Sequence, residues 1–511
     1  MATFVTRRLI ASIFIFLAAT YLMYVLVALS GDPLADLRDS TAPNKLQLIE
    51  ARTALLNLDV PPFLRYFIWI GGVLGLRGTG FFDLGVTVQN QPVNILLSQA
   101  IGSTLQLVTI AAVLAIILGL VVGITTALRQ YSGYDYGVTF LAFLFFSLPI
   151  FWVAVLLKQY VAIGFNDFLR DPQIAWWVIA TFAVVSGLIW ASVIPGAPRR
   201  KLITFAIAAG SAAAVLVYMQ LTDWFSYPHI GIVGVAISAV GIAFGVTAVS
   251  TGLKRRAALR ASLIVAGVGI AMYYPFMLGF SFYLAPWSIA LLAMATIGVS
   301  FGIGWFTGGN DPAPVARTAA ITGFFVAAVI ALDRYMSVWD DYTQSSRING
   351  RPIATIGSQT PGLEGSVWVL GVDTFTHLLL PTIALVLISF AGYTRYSRAS
   401  LLEVMNQDYI RTARAKGLTE RTVVMRHAFR NALIPIATIV AFDVGSIIGG
   451  AVITERVFGW TGMGALFQNG LDKVDPNPVM AFFLVTGSLA IIFNLIADLV
   501  YAGLDPRIRV S

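Results

Sequence analysis

Twelve apolar runs, most of them about twenty residues long, recur along this chain and leave it little choice of fold. They lie near residues 9–29, 104–127, 137–163, 174–195, 202–221, 229–251, 261–282, 286–307, 318–336, 375–396, 433–453 and 480–500. As helices, runs of this length match the hydrocarbon thickness of a bilayer. Only 11% of the 511 residues are charged, against roughly 25% in a soluble protein, and the mean hydropathy is +0.82. The expected fold is therefore an all-α polytopic membrane protein of about twelve transmembrane helices.

The charge pattern gives this reading a topology. The net charge of +8 gathers in clusters between apolar runs, which is the mark of cytoplasmic loops rather than of a nucleic-acid surface. Arg7 and Arg8 precede the first run. That run is long enough to span and shows no small-x-small cleavage site, so an uncleaved first helix with its N-terminus inside is expected. Between 165 and 340, six spans place Arg199-Arg200-Lys201, Lys254-Arg255-Arg256 with Arg260, and the 308–317 loop with Arg317 on the inside. The alternate loops, near 222–228 and 283–285, hold Asp223 and no Lys or Arg. Six is an even number, so the chain returns to the outside before the span at 375–396. The expected segments are 1–164 (three spans and an outer loop, 30–103), 165–340 (a six-helix unit) and 341–511 (three spans).

Cysteine is absent, which excludes disulfides, thiol catalysis and cysteine-ligated metals. His229, His377 and His427 share no ligand spacing, so no metal site is expected. The glycine-rich stretch Gly71–Gly80 lacks the Lys-Ser/Thr pair of a phosphate-binding loop, and no cofactor is expected either.

The stretch from Glu403 to Pro435 is a polar island between two apolar spans. It carries Arg411, Arg414, Lys416, Arg421, Arg426 and Arg430, which places it on the cytoplasmic side. Asp408 can N-cap a turn starting at Tyr409, and Gly417 is a natural left-handed terminator. Thr419, with Glu420 behind it, can cap a second helix running through Val423 and Val424 towards Pro435. Ala413, Ala415 and Gly417 leave a small-residue surface flanked by cations, suited to docking in a groove on another protein. Charge alone would also fit an ordinary basic loop.

The order Ala-Arg-Ala-Lys-Gly-Leu at 413–418, with His427 and Asn431-Ala-Leu-Ile-Pro435, resembles the "EAA" loop of ABC-importer permeases, most closely the dipeptide and oligopeptide branch. The usual Glu-Ala-Ala opening is Thr412-Ala413-Arg414 here. Further resemblance lies in Asp83-Leu84-Gly85, Gln91-Pro92-Val93, Thr104-Leu105-Gln106-Leu107, the run from Thr454 to Gly464, and Leu504-Asp505-Pro506-Arg507-Ile508-Arg509. It covers about 1–164 and 345–511; residues 165–340 resemble no family. The resemblance implies a type I permease core of six helices carrying an inserted six-helix unit. It also implies that Asp408, Tyr409, Arg411, Thr412, Ala413, Arg414, Ala415, Lys416, Gly417 and Leu418 form a coupling helix. That helix would plug into a cytoplasmic ATPase subunit in a bacterial plasma membrane. The implied partners are a homologous second permease, one or two ATPases that bind the ATP, and an extracellular substrate-binding protein. No catalytic residues are expected.

Asp443 is the candidate for the translocation path. A carboxylate at a span centre costs about 2.5–3.5 kcal/mol on insertion scales, so it faces either a cavity or a helix partner. Gly445, Gly449 and Gly450 allow close packing nearby. Lys158 is expected to snorkel to the outer interface, and Asp498 to pair with a basic group at the cytoplasmic end of the last span. Trp69, Trp176, Trp177, Trp224, Trp287 and Trp339 read as an aromatic belt. The rival function is an ion-coupled secondary transporter, which needs charges in several spans; only Asp443 and Lys158 qualify. A membrane-embedded enzyme would need a carboxylate pair or His cluster at depth, and none is present.

Overall fold

A computed structural model describes residues 2–76, 82–194, 196–279 and 284–504. The C-terminal Asp505-Pro506-Arg507 tail, part of the Gly71–Gly80 stretch, the packing of Gly445, Gly449 and Gly450, and the side chain of Asp498 lie outside the described residues. The described chain is helical and forms two compact units. The first comprises residues 1–161, 355–358 and 378–511, and the second 162–354 and 359–377.

In chain order, α1 (Ala2–Leu29) leads to α2 (Ala35–Arg38), α3 (Lys45–Leu56) and α4 (Pro62–Val73), then to α5 (Val93–Ala127). The aromatic side chains of α1 and α4 interlock: Tyr24 meets Tyr66 edge-on and Trp69 tilted. Trp69 is thus a core residue, buried with Tyr66 and Val73, and does not belong to an interfacial belt. Trp176, Trp177 and Trp287 are exposed.

The third expected span breaks in two. α6 (Gly133–Ser147) and α7 (Ile150–Leu156) meet at 104°. Leu148 before Pro149 is extended, because the proline ring excludes the helical region for its predecessor. This is a break, larger than the kink the lone proline leads one to expect. A π-helical segment (Leu157–Ile163) and α8 (Gly164–Phe168) continue α7.

The helices α9 (Trp176–Val193), α10 (Pro198–Leu221), α11 (Gly231–Ser250), α12 (Arg256–Leu278), α13 (Pro286–Thr307) and α14 (Pro312–Ser337) follow, then the short α15 (Trp339–Thr343). All six long helices are apolar enough to cross a membrane. α9 pairs with α10, while α11 to α14 pack together. Buried hydroxyls stitch that second group. Thr247 and Thr322 both reach the Ser262 hydroxyl at 3.2 Å, and Asp333 accepts from the Ile230 amide and the Tyr273 hydroxyl at 2.5 and 2.6 Å. Asn166 grips the backbone of Ile353 at both its amide and its carbonyl, at 3.0 and 2.9 Å.

The chain ends with α16 (Val367–Met405), α17 (Asp408–Ala415), α18 (Glu420–Thr422), a π-helical turn (Val423–Ala428), α19 (Phe429–Phe458), α20 (Met463–Asp472) and α21 (Pro476–Leu504). Ten described helices qualify as spans, and the bent α6–α8 pair makes an eleventh. α19, with 30 residues, covers the remaining expected span at 433–453. The chain is a multi-pass membrane protein.

Within the first unit, α5 and α16 approach closely at Gly119 and Gly123. A Cβ on Gly119 would collide with Tyr393, and one on Gly123 with Ser397. The Ser397 hydroxyl donates to the Gly119 carbonyl at 3.0 Å, the small-residue contact that helices use where lipid gives no hydrophobic driving force. Beyond it, Arg398 grips Asp135 with two hydrogen bonds, of 2.8 and 2.9 Å.

Candidate coupling site and translocation path

The polar island folds as α17 lying on its own chain. Its helical stripe is short: Ile410 and Ala413 are buried against Leu401, Val423, Ala428 and Ala432. All the other residues of the expected coupling set are exposed: Asp408, Tyr409, Arg411, Thr412, Arg414, Ala415, Lys416, Gly417 and Leu418. Two buried side chains three apart seat one face of the helix and leave the rest uncovered. Ala413 therefore belongs to the seat, which corrects its expected place on the docking surface. Ala415 and Gly417 remain on the outside.

Local chemistry sets the ends. Gln407 is the N-cap, so Asp408 sits one position further in than expected, where its carboxylate still favours the positive helix end and pairs with Arg411 at 3.5 Å. Gly417 has φ +76° and turns the chain after Lys416, a conformation open to glycine at no steric cost. Thr419 caps α18 by accepting from the Thr422 amide. Arg414 bridges the two pieces with a forked pair to Glu420, at 2.7 and 3.2 Å. That guanidinium holds the Glu420 carboxyl below its ordinary range. Asn431 donates to the Tyr409 hydroxyl at 2.9 Å, tying α17 to α19. The second helix does not stop at Pro435, which lies inside α19. The loop is thus continuous with α19 through a π-helical turn.

Asp443 is half-buried in α19 and lies near the Tyr393 side chain of α16, the residue seated on Gly119. Lys158 is half-buried in the π-helical segment that follows α7. Its ammonium donates to the Val457 carbonyl at 3.0 Å and lies 5.9 Å from the centroid of the Phe458 ring. It satisfies a carbonyl at the C-terminus of α19, where helix ends favour cations.

Three buried polar centres escaped the sequence reading. Glu455, fully buried, accepts from the Thr104 hydroxyl and the Gly464 amide, both at 2.6 Å, and from the Ala465 amide at 3.2 Å. Thr104 in turn accepts from the Met463 amide at 2.8 Å. The second is the Asp135–Arg398 pair. The third is Asp475, which accepts from the Val88 amide at 2.7 Å while Asn477 donates to the Val86 carbonyl at 2.7 Å. Each pairs residues more than 250 positions apart, and no local pattern announces such a partner.

Burial pushes the Asp475 carboxyl up to about 6 from its ordinary 3.8. Between those values the folded chain holds a proton that the unfolded chain releases. Its contribution is complete below pH 3.8 and is lost as pH rises through 6, at no more than about 1.4 kcal/mol per unit. Asp475→Asn should flatten this part of the dependence. Thermal unfolding of both proteins in detergent between pH 4.5 and 7 checks it; parallel curves would refute it.

Comparison with known proteins places this architecture. The family model described as "Binding-protein-dependent transport system inner membrane component" matches residues 115–510. The chain belongs to this family. The oligopeptide transport system permease protein OppB of Mycobacterium tuberculosis (strain ATCC 25618 / H37Rv) is 26% identical over 511 residues, covering 100% of both chains. That alignment runs through 165–340, the segment for which the sequence alone indicated no family. The oligopeptide transport system permease protein AppB of Bacillus subtilis (strain 168) is 46% identical over 137 residues, 27% of this chain and 43% of that protein. The dipeptide transport system permease protein DppB of Escherichia coli (strain K12) is 42% identical over 138 residues, 27% and 41% of the two chains.

Proposed function

We propose that this chain is the permease subunit of an ATP-driven importer of peptides or related small solutes. The observation that carries the reading is α17, a polar helix seated by Ile410 and Ala413 alone, its remaining face uncovered. A cytoplasmic ATPase docks on that face. Movement of α17 passes through Asn431 and the continuous α18–α19 rod into the core helices. The partners are a homologous permease, one or two ATPases that bind and hydrolyse ATP, and an extracellular binding protein that sets the substrate. This subunit contributes no catalytic group and no cofactor. Residues 165–340 form a six-helix addition to a six-helix core, both termini face the cytoplasm of a bacterial cell, the subunit forms half of the translocation pathway, and Asp443 lines it.

Reconstitution tests this reading as a whole. Peptide uptake into proteoliposomes should require the ATPases, ATP and the binding protein, and Asp443→Leu should lower it in an assembled complex. Uptake driven by a proton or sodium gradient without ATPases would overturn the proposal in favour of an ion-coupled transporter. In the same membranes, cysteines placed at Ser226 and Ser346 should react with an impermeant thiol reagent from outside, and one at Gly196 should not. The reverse pattern would refute the topology.

A further inference from the structure

The second unit holds a cavity of about 520 Å³ between α12, α13 and α14, closed at one end by Trp368. α14 packs along both α12 and α13, whereas α12 and α13 meet more sparsely, and the gap between them is the slot. Its wall is almost wholly apolar. Thr296 satisfies its hydroxyl on the Leu292 carbonyl of its own helix at 2.8 Å, so water would find few partners inside. The slot is long and narrow. On α12 it runs from Val265 to Phe276 and on α13 from Ile289 to Ile303, about 17 and 21 Å at the helical rise. Those are the dimensions of a single fatty acyl chain. Along the mouth, Val268, Met272, Val299 and Phe324 are 42, 46, 60 and 48% exposed, so the slot opens sideways.

One end of the slot is cationic. Arg260 precedes Val268 by two i+4 steps on α12, and Arg317 precedes Phe324 by one heptad on α14. Arg317 therefore stands within about 20° of Phe324, while Arg260 lies about 80° round α12 from Val268, on the exposed side of that helix. Each is exposed, and neither has a carboxylate partner among the described residues. The nearby Asp311 is held by Arg255 at 2.8 Å. From these observations we propose that the slot binds one acyl chain of an anionic phospholipid, whose phosphate is held by Arg260 and Arg317. The wall selects a hydrocarbon chain, and the two guanidiniums select the charge of the headgroup.

A phosphatidylglycerol carrying a diazirine in one acyl chain provides the test, with the full complex in nanodiscs. Photolabel should concentrate on Met272, Val299 and Phe324, and unlabelled phosphatidylglycerol should displace it while phosphatidylcholine does not. Arg260→Gln with Arg317→Gln, both outside the packed core, should lower labelling of these residues by roughly tenfold. Ala327→Phe, which fills the slot, should abolish it with both cations in place. Label spread evenly over the outward faces of α9 and α10 would mean bulk lipid only and would overturn the site. Equal displacement by phosphatidylcholine, or unchanged labelling in the double arginine variant, would overturn the anionic assignment.

Discussion

Replacing Ala415 with aspartate should uncouple transport from an intact protein, whereas replacing Ala413 with phenylalanine should damage the protein itself. The two alanines sit two positions apart on α17, yet Ala415 is exposed and Ala413 is packed among Ile410, Leu401 and Ala428. An aspartate at 415 leaves the seat untouched and places a bare charge on the proposed docking face. Loss of a central interface contact costs about 2 kcal/mol, roughly a thirtyfold weaker ATPase complex. A phenyl ring at 413 has no room beneath the helix, and overpacking of this kind costs about 1–3 kcal/mol of stability. Binding of the purified ATPase, uptake and thermal unfolding, measured on both variants, separate the two effects. Normal ATPase binding and uptake in Ala415→Asp would remove α17 from the coupling interface. An Ala413→Phe protein as stable as the parent would show that the buried stripe does not seat the helix.

The second large effect is expected at Glu455. Its carboxylate gathers the Thr104 hydroxyl and two amides of the turn into α20. The site tolerates little change of shape, since a Cβ on Gly464 would lie 2.6 Å from the Val452 Cα. Glu455→Ala leaves those donors buried without an acceptor, at about 1–3 kcal/mol for each group stranded. The variant should lose much of its thermal stability, and the anchorage of the 460–465 turn against Thr104, three turns into α5. Glu455→Gln keeps one acceptor oxygen and should lose clearly less. Equal unfolding temperatures for the alanine variant and the parent would show that the network contributes nothing.

The places where sequence reasoning failed share a cause. Trp69 and Lys158 were assigned by chemical type, as an interfacial indole and a snorkelling amine. Each meets a partner brought by a distant element, which chemical type does not announce: the aromatic rings of α1 for Trp69, the end of α19 for Lys158. The small-residue pattern puts Ala413 on the docking surface, but which face of α17 turns inward depends on the surface beneath it. The 104° turn at Pro149 likewise follows from what its two arms pack against.

By itself the sequence determined the all-helical class, the membrane, most of the spans, and the turn and cap residues of the polar island. These rest on local physics. Runs of about twenty apolar residues must satisfy their own backbone in hydrocarbon, and Gly417 and Thr419 act within a turn of where they stand. Only the tertiary structure decided that Glu455, Asp135 and Asp475 are buried and which donors meet them. It alone decided that Gly119 and Gly123 let α16 approach, and that α12, α13 and α14 leave a slot. Those outcomes depend on side chains tens to hundreds of residues apart arriving within about 3 Å of one another, and helical periodicity carries no record of such a meeting.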